Sequence, residues 1–269
     1  MKFQKTALVA FPTLLLFAVA SLPRLHAQDD SAEYTNKAIE LAKNKQYAQA
    51  AEAFGMAIKA DPQDSKHYLN RANAYRAAGK LDESAADFTK FSEMEPDRAD
   101  GFSGLGKVKI SKKDYDGAIE DFNKALEIDD GEIDIYRFRA FAYVSKDEFE
   151  KAIEDYTKVL GKKSDDPQAL ERRAFAYRSL KQYDKAIEDL STIIENNPKD
   201  AEAYRARGYA YTVVDNNVKA EADFTMLLKL KPSDPDAQSR LKAVQAKAAA
   251  PAGTPAAGAA PAGAPSPST

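Results

Sequence analysis

No cysteine occurs anywhere in this chain of 269 residues. That excludes disulfide frameworks, thiolate metal sites, iron–sulfur clusters, cysteine nucleophiles and lipid attachment through an N-terminal cysteine. Histidine is almost as scarce. His26 and His67 are the whole supply, too few for a multi-histidine metal site or for most base–nucleophile partnerships. A surplus of one charge is missing too: the net charge is −3, which gives no general pull towards nucleic acid or anionic lipid. Phosphate loops are absent, since Gly101-Phe102-Ser103-Gly104-Leu105-Gly106 lies inside a helical pattern with no strand before it. The acidic pairs Asp129-Asp130 and Asp165-Asp166 lack calcium-loop spacing and read as turns or helix caps. These absences argue against an enzyme, and no metal or cofactor is expected.

What is there begins with an address. Lys2 and Lys5 precede an apolar stretch from Thr6 to Leu22, and Leu25-His26-Ala27 supplies a small residue before Gln28. Basic, apolar and small-residue regions in that order predict a signal peptide over residues 1–27, cleaved after Ala27 or earlier after Ala20. Pro12 interrupts the apolar run, which is shorter than the roughly 20 residues of a spanning helix. The mature protein is then exported, periplasmic or secreted, with no stable membrane span; a retained signal would instead anchor it at its N-terminus. At the other end, residues 248–269 are entirely Ala, Pro, Gly, Ser and Thr. Such a composition cannot build a core, so a disordered tail is predicted there.

Between these ends the chain copies itself with a period of 34 residues. The copies run 31–64, 65–98, 99–132, 133–166, 167–200 and 201–234, without insertion or deletion. A large residue stands fourth (Tyr34, Tyr68, Phe102, Tyr136, Leu170, Tyr204), a small one eighth (Ala38, Ala72, Gly106, Ala140, Ala174, Gly208), and usually Tyr eleventh. The twentieth is small again, as at Ala118 and Ala152, and the twenty-fourth is large, as at Phe54, Phe88 and Phe224. Positions 4, 8 and 11, then 20, 24 and 27, follow the period of two amphipathic helices. The small residues let the helices approach, and the large ones fill the space beside them. Proline closes four copies, at Pro62, Pro96, Pro198 and Pro232. Asp130 and Ser164 replace it in the third and fourth copies, which predicts less sharply defined helix ends there. Lys109 replaces the eleventh aromatic, predicting looser packing. Residues 235–247, with Ala237, Leu241 and Val244 at helical spacing, read as a capping helix.

The pattern resembles the tetratricopeptide repeat, clearest in Tyr68-Leu69-Asn70-Arg71-Ala72-Asn73-Ala74-Tyr75 with Ser84, Phe88 and Pro96. The resemblance covers residues 31–234. It implies an all-α fold: a right-handed superhelical α-solenoid of six 34-residue helix-turn-helix repeats plus the capping helix. It also implies a non-catalytic scaffold that binds a protein or peptide partner in its concave groove; together with the signal segment, the setting expected is the cell envelope. A holdase or assembly factor for secreted proteins is the alternative, and no oligomeric state follows.

In that family the first helices line the concave face through positions 2, 5, 6, 9, 12 and 13. On this sequence those positions supply Asn70, Asn73, Arg137, Phe138, Phe141, Arg172, Phe175, Arg178, Arg205 and Tyr209. Arginine forks grip carboxylates and aromatic faces cover apolar side chains, so an extended peptide with acidic groups is the expected ligand. The family's carboxylate clamp, which holds the C-terminal acid of cytosolic heat-shock chaperones, needs Lys and Asn where Thr35 and Ile39 stand. Asn70 is in place, but Asp100 and Gly104 replace the remaining basic pair. Two further expectations concern single residues. Arg71, Arg139, Arg173 and Arg207 at position 7 pair with Asp87, Asp155, Asp189 and Asp223 at position 23, fixing register. His67, third in its copy, should be exposed at a helix start, with no role.

Overall fold

The computed structural model describes residues 22–249, with side chains from residue 30 onward. The proposed signal segment falls almost wholly outside the described residues, as does the tail from residue 250. Among the described residues there are 13 helices and no strand. They are α1 (Leu22–Lys43), α2 (Tyr47–Ala60), α3 (Ser65–Ala77), α4 (Leu81–Met94), α5 (Ala99–Ser111), α6 (Tyr115–Ile128), α7 (Ile133–Ser145), α8 (Phe149–Lys162), α9 (Pro167–Ser179), α10 (Tyr183–Asn196), α11 (Ala201–Val213), α12 (Asn217–Leu230) and α13 (Pro235–Ala249). From α2 on, each helix starts 34 residues after its counterpart, so the period read from the sequence is the period of the backbone. The described residues form two compact units, divided between Asp147 and Glu148. In the first, α1 to α7 pack each on the next; in the second, α8 to α13 include the hairpins α9–α10 and α11–α12, with α13 against α12.

The turns inside the hairpins are built alike. Lys45, Gly79, Lys113, Asp147, Lys181 and Asp215 all have φ between 58° and 77°. This left-handed residue reverses the chain and closes a bond back into the helix, as Gln46 N–H to Leu41 C=O (2.9 Å) and Lys80 N–H to Tyr75 C=O (2.9 Å) show. Only Gly79 is glycine; the other five hold side chains in a region that disfavours them by about 1 kcal/mol. Loss of the closing proline does not blur the helix ends. The helices α6 and α8 stop at Ile128 and Lys162, in register with the rest. Asp129 turns extended there and Lys163 leaves the helical region at φ −137°, ψ 86°, and the Asp129 carboxylate accepts the Gly131 N–H at 2.9 Å. These helices thus end without a proline ring.

Close approach is clearest around α5. A Cβ built at Gly104 would lie 2.2 Å from Phe88 Cε1, and one at Gly106 would lie 2.6 Å from Phe122 Cε1. Glycine therefore lets both buried rings seat against the α5 backbone. Phe88 joins Ala72 and Val108 in one core cluster, and Phe122 joins Ala118, Ala125 and Ile135 in another.

The predicted register pins are present within both units. Arg71 grips Asp87 through Nε and Nη2, both at 2.7 Å; Arg173 grips Asp189 at 2.9 and 2.7 Å, and Arg207 grips Asp223 at 2.9 and 2.8 Å. The third guanidinium nitrogen reaches the preceding hairpin: Arg173 Nη1 donates to Thr157 Oγ1 and Arg207 Nη1 to Ser191 Oγ, each at 3.0 Å. Arg139 donates likewise to Asn123 Oδ1 at 2.7 Å. Each of these arginines also lies over a tyrosine at position 4, 11 or both, as Arg207 does over Tyr204 and Tyr211. Where Leu105 takes the arginine's place, Lys109 supplies the cation instead, its Nζ 2.8 Å from Asp121 Oδ2. Lys109 is thus a relocated pin, not a site of loose packing.

His67 is buried, contrary to expectation. Its Nε2 lies 2.7 Å from Ser31 Oγ and its Nδ1 3.3 Å from Thr35 Oγ1, tying α3 to α1. Position 3 faces the neighbouring hairpin, as buried Ile135, Ala169 and Ala203 also show.

Candidate functional site

In the second unit a concave cavity of about 610 Å³ opens between α9 and α11. Its floor is apolar: Ala174, Leu190, Ile193, Ala203 and Ala206. Around it stand Phe175, Arg178, Glu171, Glu202 and Arg205. The 34-residue spacing sets the helices side by side with equivalent faces inward, so positions 5, 9 and 12 of α9 share one wall. Phe175 is 46% exposed, an uncommon state for a phenylalanine, and leans edge-on against Phe149 at 6.1 Å. Arg178 lies over the Tyr209 ring at 5.3 Å, and Arg240 covers the same ring at 5.2 Å. The Arg178 Nε is buried without a hydrogen-bond acceptor.

Arg205 does different work from that expected. Its Nη2 donates to Asp234 Oδ2 at 2.5 Å and its Nε to Glu202 Oε2 at 3.0 Å, with Asp236 at 3.5 Å. Asp234 also caps α13 by accepting the Ala237 N–H at 2.9 Å. Bonded first to Arg205 and then to that N–H, Asp234 has its carboxyl pKa lowered to about 2. Asp234, then Glu202, raise the Arg205 pKa in turn. Lys231 and then Arg205 lower that of Glu202. Arg205 therefore fastens the last helix, with its fork filled by this chain's own carboxylates.

The remaining expected groove residues are scattered. In the first unit Asn73 is exposed and donates to the Leu69 carbonyl of its own helix at 2.9 Å, while Asn70 is half-buried nearby. Arg137 lies 3.5 Å from Asp134. Phe138 is stacked on Phe122 at 6.2 Å and packs against a core cluster, so it is a core ring where a groove contact was expected. Phe141 meets Tyr115 edge-on at 6.5 Å. In the second unit Arg172 is half-buried on α9. Only Phe175, Arg178 and Arg205 of the expected set line the cavity. Glu171 and Glu202 were missed, although they occupy positions 5 and 2 of their copies and the positional rule could have found both.

The first unit has its own, more polar cavity of about 500 Å³ along α5 and the start of α7. Arg98 and Asp100 pair there at 2.7 Å. Lys107 lines it, with its Nζ 4.9 Å from the Phe138 ring; burial first, and Arg76 second, hold its pKa below the ordinary lysine value. Among the described residues no group of three or more metal-ligating side chains gathers, and no helix is long and apolar enough to cross a membrane.

Family models of the tetratricopeptide repeat match residues 35–91 and 69–133, and again residues 145–208. The chain belongs to the tetratricopeptide repeat family. Proteins of that family mediate protein–protein interaction. Among solved structures, YrrB, described as a TPR protein with an unusual peptide-binding site, shares the fold with a TM-score of 0.64 at 23% identity, over 71% of this chain and 99% of that one. PilF of Pseudomonas aeruginosa does so with a TM-score of 0.63 at 15% identity, over 83% and 99%. Hsp70-Hsp90 organizing protein 1 of Glycine max is 37% identical over 84 residues, 31% of this chain and 15% of the relative. The similarity to that protein is thus confined to a small part of its length.

Proposed function

We propose that this tetratricopeptide repeat protein is a non-catalytic scaffold of the cell envelope, which holds an extended segment of a partner protein in the groove between α9 and α11. The observation that carries the reading is the groove itself: an apolar floor, an exposed Phe175 and an Arg178 without an ion pair among the described residues, gathered on one concave wall. Extended segments bind such walls by laying side chains into apolar pockets while charged groups fix their position. The peptide-binding site named for YrrB, which shares the fold, supports the same mode. The organizing-protein likeness does not extend to chaperone tails, because Thr35 and Ile39 stand where the clamp needs Lys and Asn. The envelope setting rests on the basic, apolar and small-residue order of residues 1–27.

The test is affinity capture from the envelope fraction with the full chain, alongside N-terminal sequencing of the mature protein. A stoichiometric partner retained by the chain and lost with Phe175→Ser supports the reading. Equal capture by Phe175→Ser rejects the groove, and a mature protein still beginning at Met1 in the cytosolic fraction rejects the envelope setting.

A further inference from the structure

Glu171, Phe175 and Arg178 stand at positions 5, 9 and 12 of the same copy, so α9 presents an acid, an aromatic ring and a base along one wall of the cavity. The other charges there are engaged. Arg205 holds Asp234 and Glu202, Glu202 also holds Lys231 at 2.6 Å, and Asp200 accepts the Ala203 N–H at 3.0 Å. Arg178 forms no ion pair among the described residues, and its Nε is shut away from water without an acceptor. Glu171 is exposed and has neither ion pair nor side-chain hydrogen bond there. The two do not pair with each other, and seven residues of helix set their backbones about 10 Å apart. Between them lie Phe175 and the small Ala174, which leave room for a backbone to approach.

We propose that this groove reads an extended segment carrying an acidic and a basic residue three positions apart, with an apolar side chain between them. The spacing follows from geometry: about 10 Å along α9 equals about three residues of extended chain at about 3.3 Å each. The segment's carboxylate meets the outer nitrogens of the Arg178 guanidinium, its apolar side chain lies on Phe175, and its cation meets Glu171. This inference rests on the groove reading above and adds a chemical signature to it.

The probe is a random dodecapeptide display library, panned on the immobilised full chain and on variants. The expected result is enrichment of sequences with acid and base three apart around an apolar residue, lost with Phe175→Ser. Arg178→Glu weakens the enriched peptide about tenfold or more, the loss expected when one attraction becomes a repulsion. The exchange Glu171→Lys with Arg178→Glu restores binding, because the segment can lie the other way round. Enrichment that depends on Phe175 but shows no charge pair overturns this inference and leaves the groove reading standing. Enrichment indifferent to Phe175 overturns both.

Discussion

Arg207 holds Asp223 through two parallel hydrogen bonds, Nε to Oδ2 at 2.9 Å and Nη2 to Oδ1 at 2.8 Å, and spends its remaining nitrogen on Ser191 Oγ at 3.0 Å. One side chain thus closes its own hairpin and fastens it to the hairpin before. Asp223→Ala strands a mostly buried guanidinium and should cost about 2–4 kcal/mol. Arg207→Met with Asp223→Leu removes both charges and should cost less than the single change. Urea unfolding followed by circular dichroism checks the order.

Lys109 and Leu105 form a relocated version of the same device. Lys109→Met leaves the buried Asp121 carboxylate without its cation, and a loss of about 2–4 kcal/mol is expected. Restoring the usual arrangement, Leu105→Arg with Lys109→Tyr, should recover most of that stability. Failure of the restored pair to outperform Lys109→Met would refute the relocation. The same unfolding measurement decides.

Gly104 and Gly161 make opposite predictions for one added methyl group. At Gly104 it meets the buried Phe88 ring at 2.2 Å, and overpacking should cost about 1–3 kcal/mol or more. At Gly161, in the last turn of α8, nothing lies within 4 Å, so the better helix former should stabilise by up to about 1 kcal/mol. Thermal melts of Gly104→Ala and Gly161→Ala should shift in opposite directions.

The attachment of α13 should depend on pH. Asp234 has its pKa lowered from the ordinary 3.8 to about 2 by Arg205 and the Ala237 N–H. A lowered carboxyl pKa stabilises the folded state above the unfolded value, and that contribution is lost as pH falls from about 4 towards 2. Hydrogen exchange over residues 237–247 should therefore quicken, relative to the intrinsic rate, across that window. In Asp234→Asn the acid-induced step should be absent.

Much of the fold was legible because the period is strict. The 16-residue separation of Arg71 from Asp87 places them on facing helices of one hairpin, and it recurs at Arg173–Asp189 and Arg207–Asp223. Lys109 was misread since its change and that of Leu105 make sense only together. His67 was misread because an early helical position looks exposed until the preceding hairpin is set beside it. The helix α1 begins at Leu22, well before the first copy at Ser31, which no repeat arithmetic signals. The site was less legible than the fold. Arg205 reads as a free fork until Asp234, 29 residues on, is brought to it by the start of α13. Phe138 and Phe175 hold related concave positions, and only packing separates the core ring from the exposed one.

Site-directed photocrosslinking in the full chain tests the groove most directly. A photoreactive residue replaces Phe175 on the concave wall of α9 or, as the control, exposed Glu188 on α10. A discrete partner adduct is expected from position 175 and none from position 188. Equal adducts from both positions, or an adduct from position 188 alone, would contradict the groove reading.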